Sequence, residues 1–231
     1  MDTVKDSFIK LSPNVDWKFQ GLVSLLETIS NPSFPCYFAK EAVERNTLFF
    51  GFYEHETLSE TSDYIKQDIS DFLKLEQEKK QGSGDLDPYW VLIIGLKTNH
   101  KTLKEDHELA GDILLNIAGC KVEDIYKKGW VLDYQGAKLF MNVNSRHHKL
   151  RKSRNLGQPL YLVIQGFDAL VETCTTPVRE AINKRVDRYD ELPHSEALPM
   201  YEGENDKSDW QQYFLTESND VIEKFPHHGK E

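Results

Sequence analysis

The sequence predicts an α+β protein with a central, mostly antiparallel sheet of about five strands packed by helices. Five short runs rich in β-branched and aromatic residues have the character of strands, and they cover residues 48–53, 89–96, 130–134, 137–143 and 159–165. Only Gln135 and Gly136 separate the third run from the fourth, a spacing typical of a tight hairpin and therefore of antiparallel pairing. Helical segments do not alternate regularly with the strands, which argues against a doubly wound parallel sheet.

Apolar residues at helical spacing predict four helices. The first ends before Pro32, because proline disfavours helical backbone at the residue before it. The second follows a Ser/Thr-rich capping region at residues 59–62, and the fourth begins at Pro177, which suits a first helical turn. The four apolar stripes are Leu22/Leu25/Leu26/Ile29, Ile65/Ile69/Phe72/Leu73, Leu103/Ala110/Leu114/Ile117 and Val178/Ile182/Val186/Tyr189.

The length of 231 residues suits one domain. We expect residues 1–215 to form a single α+β domain and residues 216–231 to be a polar C-terminal tail. Beyond about Pro193 the chain is polar, and its anchor is one aromatic patch, after which we expect the chain to fray. That patch consists of Trp210, Tyr213, Phe214 and Leu215.

Composition restricts the class of protein. Hydrophobic residues make up 39% of the chain, enough for a core, so global disorder is excluded. The net charge of −10 argues against nucleic acid and anionic membranes as partners, because both repel an acidic surface. The longest apolar run, residues 90–96, is too short to span a bilayer, and the N-terminus lacks the cationic and apolar regions of a signal peptide. A cytoplasmic location is therefore expected.

The most unusual segment places seven basic or imidazole side chains between Arg146 and Arg154 in this acidic chain. It connects two predicted strands, a position where a loop is held firmly enough to carry function. Such a cluster can bind carboxylates or phosphates, because arginine forks match these groups bidentately. The alternative is a solvated basic loop that neutralises acidic residues nearby. We call residues 146–154 the basic loop.

A second unusual segment, residues 31–39, holds Cys36 behind two prolines and between aromatic residues. A cysteine oriented and shielded in this way suits a metal-binding thiolate or a catalytic thiol. The alternative is a small buried hydrophobic residue, the usual state of a free cysteine. Cys120 and Cys174 have ordinary surroundings and are interpreted as packing residues. Three cysteines without a CxxC pair indicate neither a disulfide framework nor a structural zinc site.

Three elements together resemble the YqcI/YcgG family from about residue 30 to residue 215. They are Phe34-Pro35-Cys36, the run His148-x-x-Arg151-x-Ser153-Arg154-Asn155-Leu156-Gly157, and the segment 209–215, with further likeness at Tyr189-Asp190. Members of that family with known activity are haem proteins that oxidise the guanidine nitrogen of arginine or a related compound. The resemblance thus implies a haem cofactor, a small-molecule amine or guanidine substrate, and a redox partner.

The resemblance also implies roles for particular residues. Cys36 takes the place of the family's cysteine and is the candidate axial thiolate of the haem iron, with His148, ahead of His147, as the rival ligand. Arg151 and Arg154 are expected to pair with the haem propionates. The candidate cofactor-binding set is Cys36, His148, His147, Arg151, Arg154 and Asn155. A guanidinium substrate would need carboxylate partners, but no motif singles one out.

Three functions follow as hypotheses. The first is a haem-dependent oxygenase that hydroxylates an amine or guanidine nitrogen. The second is a non-catalytic module that binds an anionic small molecule or a partner through the basic loop. The third is a thiol enzyme with Cys36 as nucleophile and a histidine of the basic loop as base. The sequence departs from the hydroxylase relatives on both sides of Ser153-Arg154. Asn144-Ser-Arg-His-His stands where those relatives carry a His-Pro pattern, and Asn155-Leu-Gly-Gln stands where they carry an aromatic-rich stretch, which leaves the substrate open.

Overall fold

The computed structural model describes residues 2–3, 17–54, 57–83, 89–195 and 209–229. Residues 196–208 and 230–231 of the polar stretch expected after Pro193 lie outside them, as do most of the N-terminal residues behind the cytoplasmic expectation. The strands are β1 Asp2–Thr3, β2 Leu48–Glu54, β3 Val91–Lys97, β4 Leu132–Tyr134, β5 Ala137–Asn144 and β6 Leu160–Gly166. The helices are α1 Trp17–Ser30, α2 Tyr37–Glu44, α3 Leu58–Ser83, α4 Leu103–Ala118, α5 Val122–Ile125, α6 Phe167–Thr173 and α7 Thr176–Tyr189. Short 3₁₀ helices cover Lys152–Arg154 and Asp209–Gln212.

The strands form one mixed sheet in the order β1-β2-β3-β6-β5-β4. Every neighbouring pair is antiparallel except β2 and β3, which are parallel and are connected by α3 as a crossover helix. The predicted fold class, a mostly antiparallel sheet packed by helices, is confirmed. No described helix has the length and apolar character needed to cross a membrane.

The predicted hairpin joins β4 to β5. Tyr134 pairs with Ala137, and the two residues between them have positive φ angles, 53° at Gln135 and 86° at Gly136. Positive φ at both central positions belongs to a type I′ turn, whose twist matches that of antiparallel strands. The local sequence therefore fixes this strand pairing without help from the rest of the chain.

The sheet register divides the core into two layers. Leu92, Ile164 and Met141 are in register and share one face, because side chains alternate between faces along a strand. Helices α3 and α4 cover this face, with Phe72 and Ile113 in the same buried cluster. We call it the α3–α4 face.

Ile93, Val163 and Asn142 are in register on the opposite face. Helix α1 covers part of it, and the hydroxyl of Tyr161 donates a 2.7 Å hydrogen bond to the carbonyl oxygen of Gly21 in α1. We call it the α1 face. The α1 face carries the candidate site. Helices α1 and α2 do not cover the part formed by β5 and β6, and α7 lies over that part instead.

Three helices are missing from the sequence prediction. Helices α2, α5 and α6 contain 8, 4 and 7 residues, too few for a repeating apolar stripe to show. Tertiary contacts and caps define them instead, as Cys36 does at the start of α2.

The expectation that the chain frays beyond residue 215 is wrong for the part that the structure describes. Phe225 is 3% exposed and packs edge-on against Trp210 and Phe214. His228 Nδ1 lies 2.6 Å from the carboxylate of Asp112 in α4. Phe225 and the partly buried Ile222 pack this otherwise polar segment against the core, so its composition underestimated its packing.

Gly111 of α4 allows this segment to approach. A Cβ atom there would lie 1.6 Å from the carbonyl oxygen of Pro226, so Gly111→Ala forces the segment away from α4. We expect Gly111→Ala to lower the free energy of unfolding by about 1–3 kcal/mol, the usual cost of overpacking. Urea denaturation measures this, with exposed Asn116→Ala on the same helix as the control. An unchanged midpoint in Gly111→Ala would show that the segment does not pack there.

Candidate functional site

A cavity of about 460 Å³ lies on the α1 face of the sheet, beneath α7. Its floor is built by alternating strand residues, as the register requires. These floor residues are Leu48, Val91, Ile93, Phe140, Asn142, Asn144, Val163 and Gln165. The cavity is mainly apolar and carries a few polar groups on its wall, the usual composition of a small-molecule site.

Helix α7 forms the roof of this cavity. Arg179, Ile182, Asn183 and Val186 follow one another at helical spacing and all line the cavity. No residue of α7 is fully buried, although the helix carries an apolar stripe. Protein interiors are normally close-packed, so an apolar stripe held over a hollow of this size is typical of a binding pocket and not of a packing defect.

Cys36 lies on the wall of the cavity at the N-cap of α2. Its Sγ accepts a 3.4 Å hydrogen bond from the amide of Ala39, and Phe34 and Pro35 beside it also line the cavity. Arg185 of α7 donates a 3.0 Å hydrogen bond to the carbonyl oxygen of Phe34. The cysteine segment is therefore fastened to the roof helix as well as to α2.

Opposing effects act on the Cys36 thiol. Burial raises its pKa above the ordinary value, while the amide of Ala39 and the guanidinium groups of Arg154 and Arg185 lower it. Burial is the larger effect, so the thiol is protonated at neutral pH in the absence of a ligand. The two arginines supply positive charge that would stabilise a thiolate once a metal removes the proton.

Arg151 and Arg154 of the basic loop line the same cavity as Cys36. Arg154 donates to the side-chain oxygen of Asn142 on β5. Arg151 is 2% exposed and is largely committed to the chain itself, through carbonyl and amide oxygens of two other segments. Its acceptors are Thr216 O at 2.7 Å, Ser218 O at 2.9 Å, Asn219 Oδ1 at 2.8 Å and Pro193 O at 3.3 Å. Of the two arginines, Arg154 is thus better placed to meet a ligand.

The basic loop does bind a carboxylate, and that carboxylate belongs to the chain. Glu217 accepts hydrogen bonds from the amides of Lys149 and Leu150 at 2.8 and 2.7 Å. Nδ1 of His148 lies 2.9 Å from the other oxygen of the same carboxylate. Lys152 also pairs with Glu191 at 2.8 Å. These contacts fit the alternative interpretation from the sequence, in which the basic loop neutralises nearby acidic residues.

His148 and His147 do not line the cavity among the wall residues that the structure describes. The side chain of His148 is buried beside His107 of α4, with ring centroids 6.0 Å apart, and Nε2 of neither ring has a hydrogen-bond partner among the described residues. Nε2 of His147 lies 3.1 Å from the carbonyl oxygen of His100. The side-chain Nδ2 of Asn155 donates hydrogen bonds to two carbonyl oxygens of the loop, those of residues 146 and 148, at 3.2 and 2.9 Å. The structure thus brings Cys36, Arg151 and Arg154 together and places both histidines and Asn155 elsewhere.

Sequence reasoning missed several wall residues. Cys174, interpreted as a packing residue, follows α6 and lines the cavity together with Asp190 and His194. Nδ1 of His194 lies 2.8 Å from the carboxylate of Asp187. The polar floor residues had a recognisable signal, because Asn142 and Asn144 alternate with apolar residues in a buried strand. Within the described ranges, no group of three or more His, Cys, Asp or Glu side chains is placed to hold a metal ion.

The fold and the cavity define an α+β protein with a mainly apolar cavity between its sheet and a roof helix. The chain belongs to the YqcI/YcgG family, whose model matches residues 25–228. It is 26% identical over 219 residues to a Streptomyces lavendulae protein named "Putative N(omega)-hydroxy-L-arginine synthase DcsA", covering 88% of this chain and 80% of that protein. No solved structure gives a significant match.

The contacts of Glu217 yield a first test of the site. Glu217→Gln removes the charge that two backbone amides and His148 share, so we expect the free energy of unfolding to fall by about 1–3 kcal/mol. Chemical denaturation measures this change. Glu223→Gln neutralises an exposed carboxylate of the same segment and is expected to change stability little. Equal stability of the two variants would contradict the proposed anchoring role of Glu217.

The buried imidazoles make stability depend on pH. Burial, together with nearby positive charge, lowers the pKa of His107 to about 3, and burial lowers that of His148 to about 4, from 6.5. Below pH 6.5 the unfolded chain takes up protons that the folded chain excludes, so stability is lost as the pH falls towards 4. The expected slope is about 1.4 kcal/mol per pH unit for each histidine. Urea unfolding between pH 7 and pH 4 measures it, and a slope unaltered in His107→Leu would contradict this assignment.

Proposed function

We propose that this chain binds haem in the cavity beneath α7 and hydroxylates an amine or guanidine nitrogen of a small molecule. The observation that carries the proposal is the cavity itself, a hollow of about 460 Å³ with Cys36 and Arg154 on its wall. Family membership and the name of the Streptomyces relative, "Putative N(omega)-hydroxy-L-arginine synthase DcsA", support the N-hydroxylating reaction.

The residues of the cavity fit the chemical requirements of haem. A macrocycle needs apolar walls, which Ile93, Val163 and Ile182 supply from the floor and the roof. The propionates need cationic partners, and Arg154 and Arg179 line the same space. The iron needs an axial donor, and Cys36 offers a sulfur at the wall. A haem with a thiolate ligand would supply activation of O₂, because the thiolate favours cleavage of the O–O bond.

The protein would contribute binding, orientation and exclusion of water. The rigid sheet fixes the floor, and the contact of Arg185 with the carbonyl oxygen of Phe34 holds the Cys36 segment against the roof. Arg154 and Arg185 favour the thiolate form of Cys36 electrostatically. In the overall reaction one oxygen atom of O₂ enters the new N–O bond and the other leaves as water, with two electrons and two protons. A redox partner would supply the electrons.

The contacts of the basic loop weigh against a non-catalytic module that binds anions there. The amides of Lys149 and Leu150 already bind Glu217, and Arg151 donates to oxygens of the chain. Phosphate or a carboxylate ligand would have to displace an intramolecular carboxylate held by several hydrogen bonds.

The thiol-enzyme alternative has little geometric support. The base expected for it was His147 or His148, and neither is among the described wall residues. Burial also raises the pKa of the Cys36 thiol, whereas a nucleophilic cysteine needs a lowered pKa.

Haem titration of the purified protein tests the cofactor proposal. We expect the wild type to bind one equivalent of haem with a Soret band, and Cys36→Ser to lose the band or shift it strongly, because the axial donor changes. Cys120→Ser, which alters a cysteine outside the cavity wall, is the matched control and should keep the wild-type spectrum. Cys174→Ser tests the second cysteine of the wall, and His148→Ala tests the rival ligand.

The outcomes separate the candidates. A wild-type protein whose spectrum with excess haem is only that of free haem would refute haem binding. A spectrum unchanged in Cys36→Ser but lost in Cys174→Ser or in His148→Ala would move the ligand to that residue. For the reaction, turnover under ¹⁸O₂ with an electron donor should place one labelled oxygen on a nitrogen of the substrate, and unlabelled product would contradict oxygenation.

A further inference from the structure

Asp190 is the only acidic residue among the cavity-wall residues that the structure describes. It directly follows the last residue of α7 and is 9% exposed. The other charged side chains of this wall are three arginines, at positions 151, 154 and 179. A ligand that enters the cavity therefore meets one negative group, at the C-terminal end of the roof helix.

The position of this carboxylate is electrostatically unfavourable for the protein alone. The C-terminal end of a helix carries partial negative charge, which repels an anion and attracts a cation. Burial adds a desolvation cost and raises the pKa of Asp190 above its ordinary value, against the hydrogen bonds of Ser153 and the charges of Arg151 and Arg154. A cation bound at this point would be attracted by both the carboxylate and the helix end, against the repulsion of Arg151 and Arg154.

Ser153 holds the carboxylate without saturating it. The amide of Ser153 donates to one carboxylate oxygen at 2.7 Å, and its hydroxyl donates to the other at 2.6 Å. Each carboxylate oxygen has two acceptor positions, so each keeps one after the bond to Ser153. One remaining acceptor position on either oxygen is enough for a single charge-assisted hydrogen bond from a guanidinium or ammonium N–H.

We propose that Asp190 is the specificity-determining residue that anchors the cationic group of the substrate. This inference rests on the proposed function and deepens it, because it restricts the substrate to small molecules with a protonated amine or guanidinium. Ser153 is then a positioning residue, which orients the carboxylate through two hydrogen bonds. A purely structural role, as a tether between α7 and the 3₁₀ turn at residues 152–154, would affect stability but would not distinguish charged from neutral ligands.

The test compares a cationic ligand with its neutral isostere. L-Arginine and L-citrulline differ in a guanidinium and a urea group of nearly equal shape, and agmatine lacks the carboxylate of arginine. Calorimetric titration of the wild-type chain should give at least tenfold tighter binding of arginine or agmatine than of citrulline. Asp190→Asn should weaken binding of the cationic ligands by about ten- to a hundredfold and abolish the discrimination. Glu191→Gln, which neutralises the adjacent exposed carboxylate, should leave both unchanged.

Each outcome supports or overturns the proposal. Wild-type protein that binds citrulline as tightly as arginine would overturn the proposal, and so would wild-type protein that binds none of the three ligands. Both results come from the wild type alone, so the test holds even if Asp190→Asn does not fold. Discrimination that survives in a folded Asp190→Asn would overturn the role of Asp190. The Soret absorbance of the same samples tests haem binding separately. Failure of the Asp190 proposal can therefore be told apart from failure of the haem proposal.

Discussion

The polar contacts that hold α7 above the sheet are the constraint on which the rest of the site depends. Arg185 fastens the middle of the helix to the Cys36 segment, and Asp190 fastens its C-terminal end to Ser153. A helix with an apolar stripe would otherwise gain free energy by collapsing onto the sheet. Because these contacts fix its position, the stripe faces a hollow, and the protein keeps a site in which a ligand can bury apolar surface.

The basic loop mainly supports the structure around this site, and few of its residues are placed to bind a ligand. Glu217 and Arg151 bind it to the C-terminal segment through several hydrogen bonds, and Ser153 connects it to α7. Of its residues, Arg151, Ser153 and Arg154 reach the cavity wall. Carboxylates and carbonyl oxygens of the chain thus balance most of the positive charge of the loop. The cationic cluster is accommodated in this way in a protein of net charge −10.

Local patterns predicted the elements whose structure is determined locally. The hairpin at Gln135-Gly136 and the amphipathic helices α1, α3 and α4 follow from turn geometry and apolar spacing, which neighbouring residues alone decide. The convergence of Cys36 and Arg154 was reached only through the family resemblance, because residues so distant in sequence meet through the order of the strands. His148 and Asn155 lie away from the cavity. The sequence motif could not show this, because it places them next to Arg154 along the chain.

Other parts of the site depend on contacts that leave no sequence pattern. Asp190 is one of 38 acidic residues, and its burial on the cavity wall follows from the place where α7 ends. Cys174 lies in an unremarkable segment and reaches the wall because α6 ends there. The end of the C-terminal segment packs through Phe225 and approaches α4 at Gly111, which faces it.

The central claim is that the cavity between the sheet and α7 holds an iron-containing cofactor through Cys36. Crystals of haem-saturated protein, measured at the iron absorption edge, test it most directly through an anomalous difference map. The account predicts one strong peak inside the cavity, next to the sulfur of Cys36. A peak beside His148, a peak outside the cavity, or no peak in saturated crystals would contradict it.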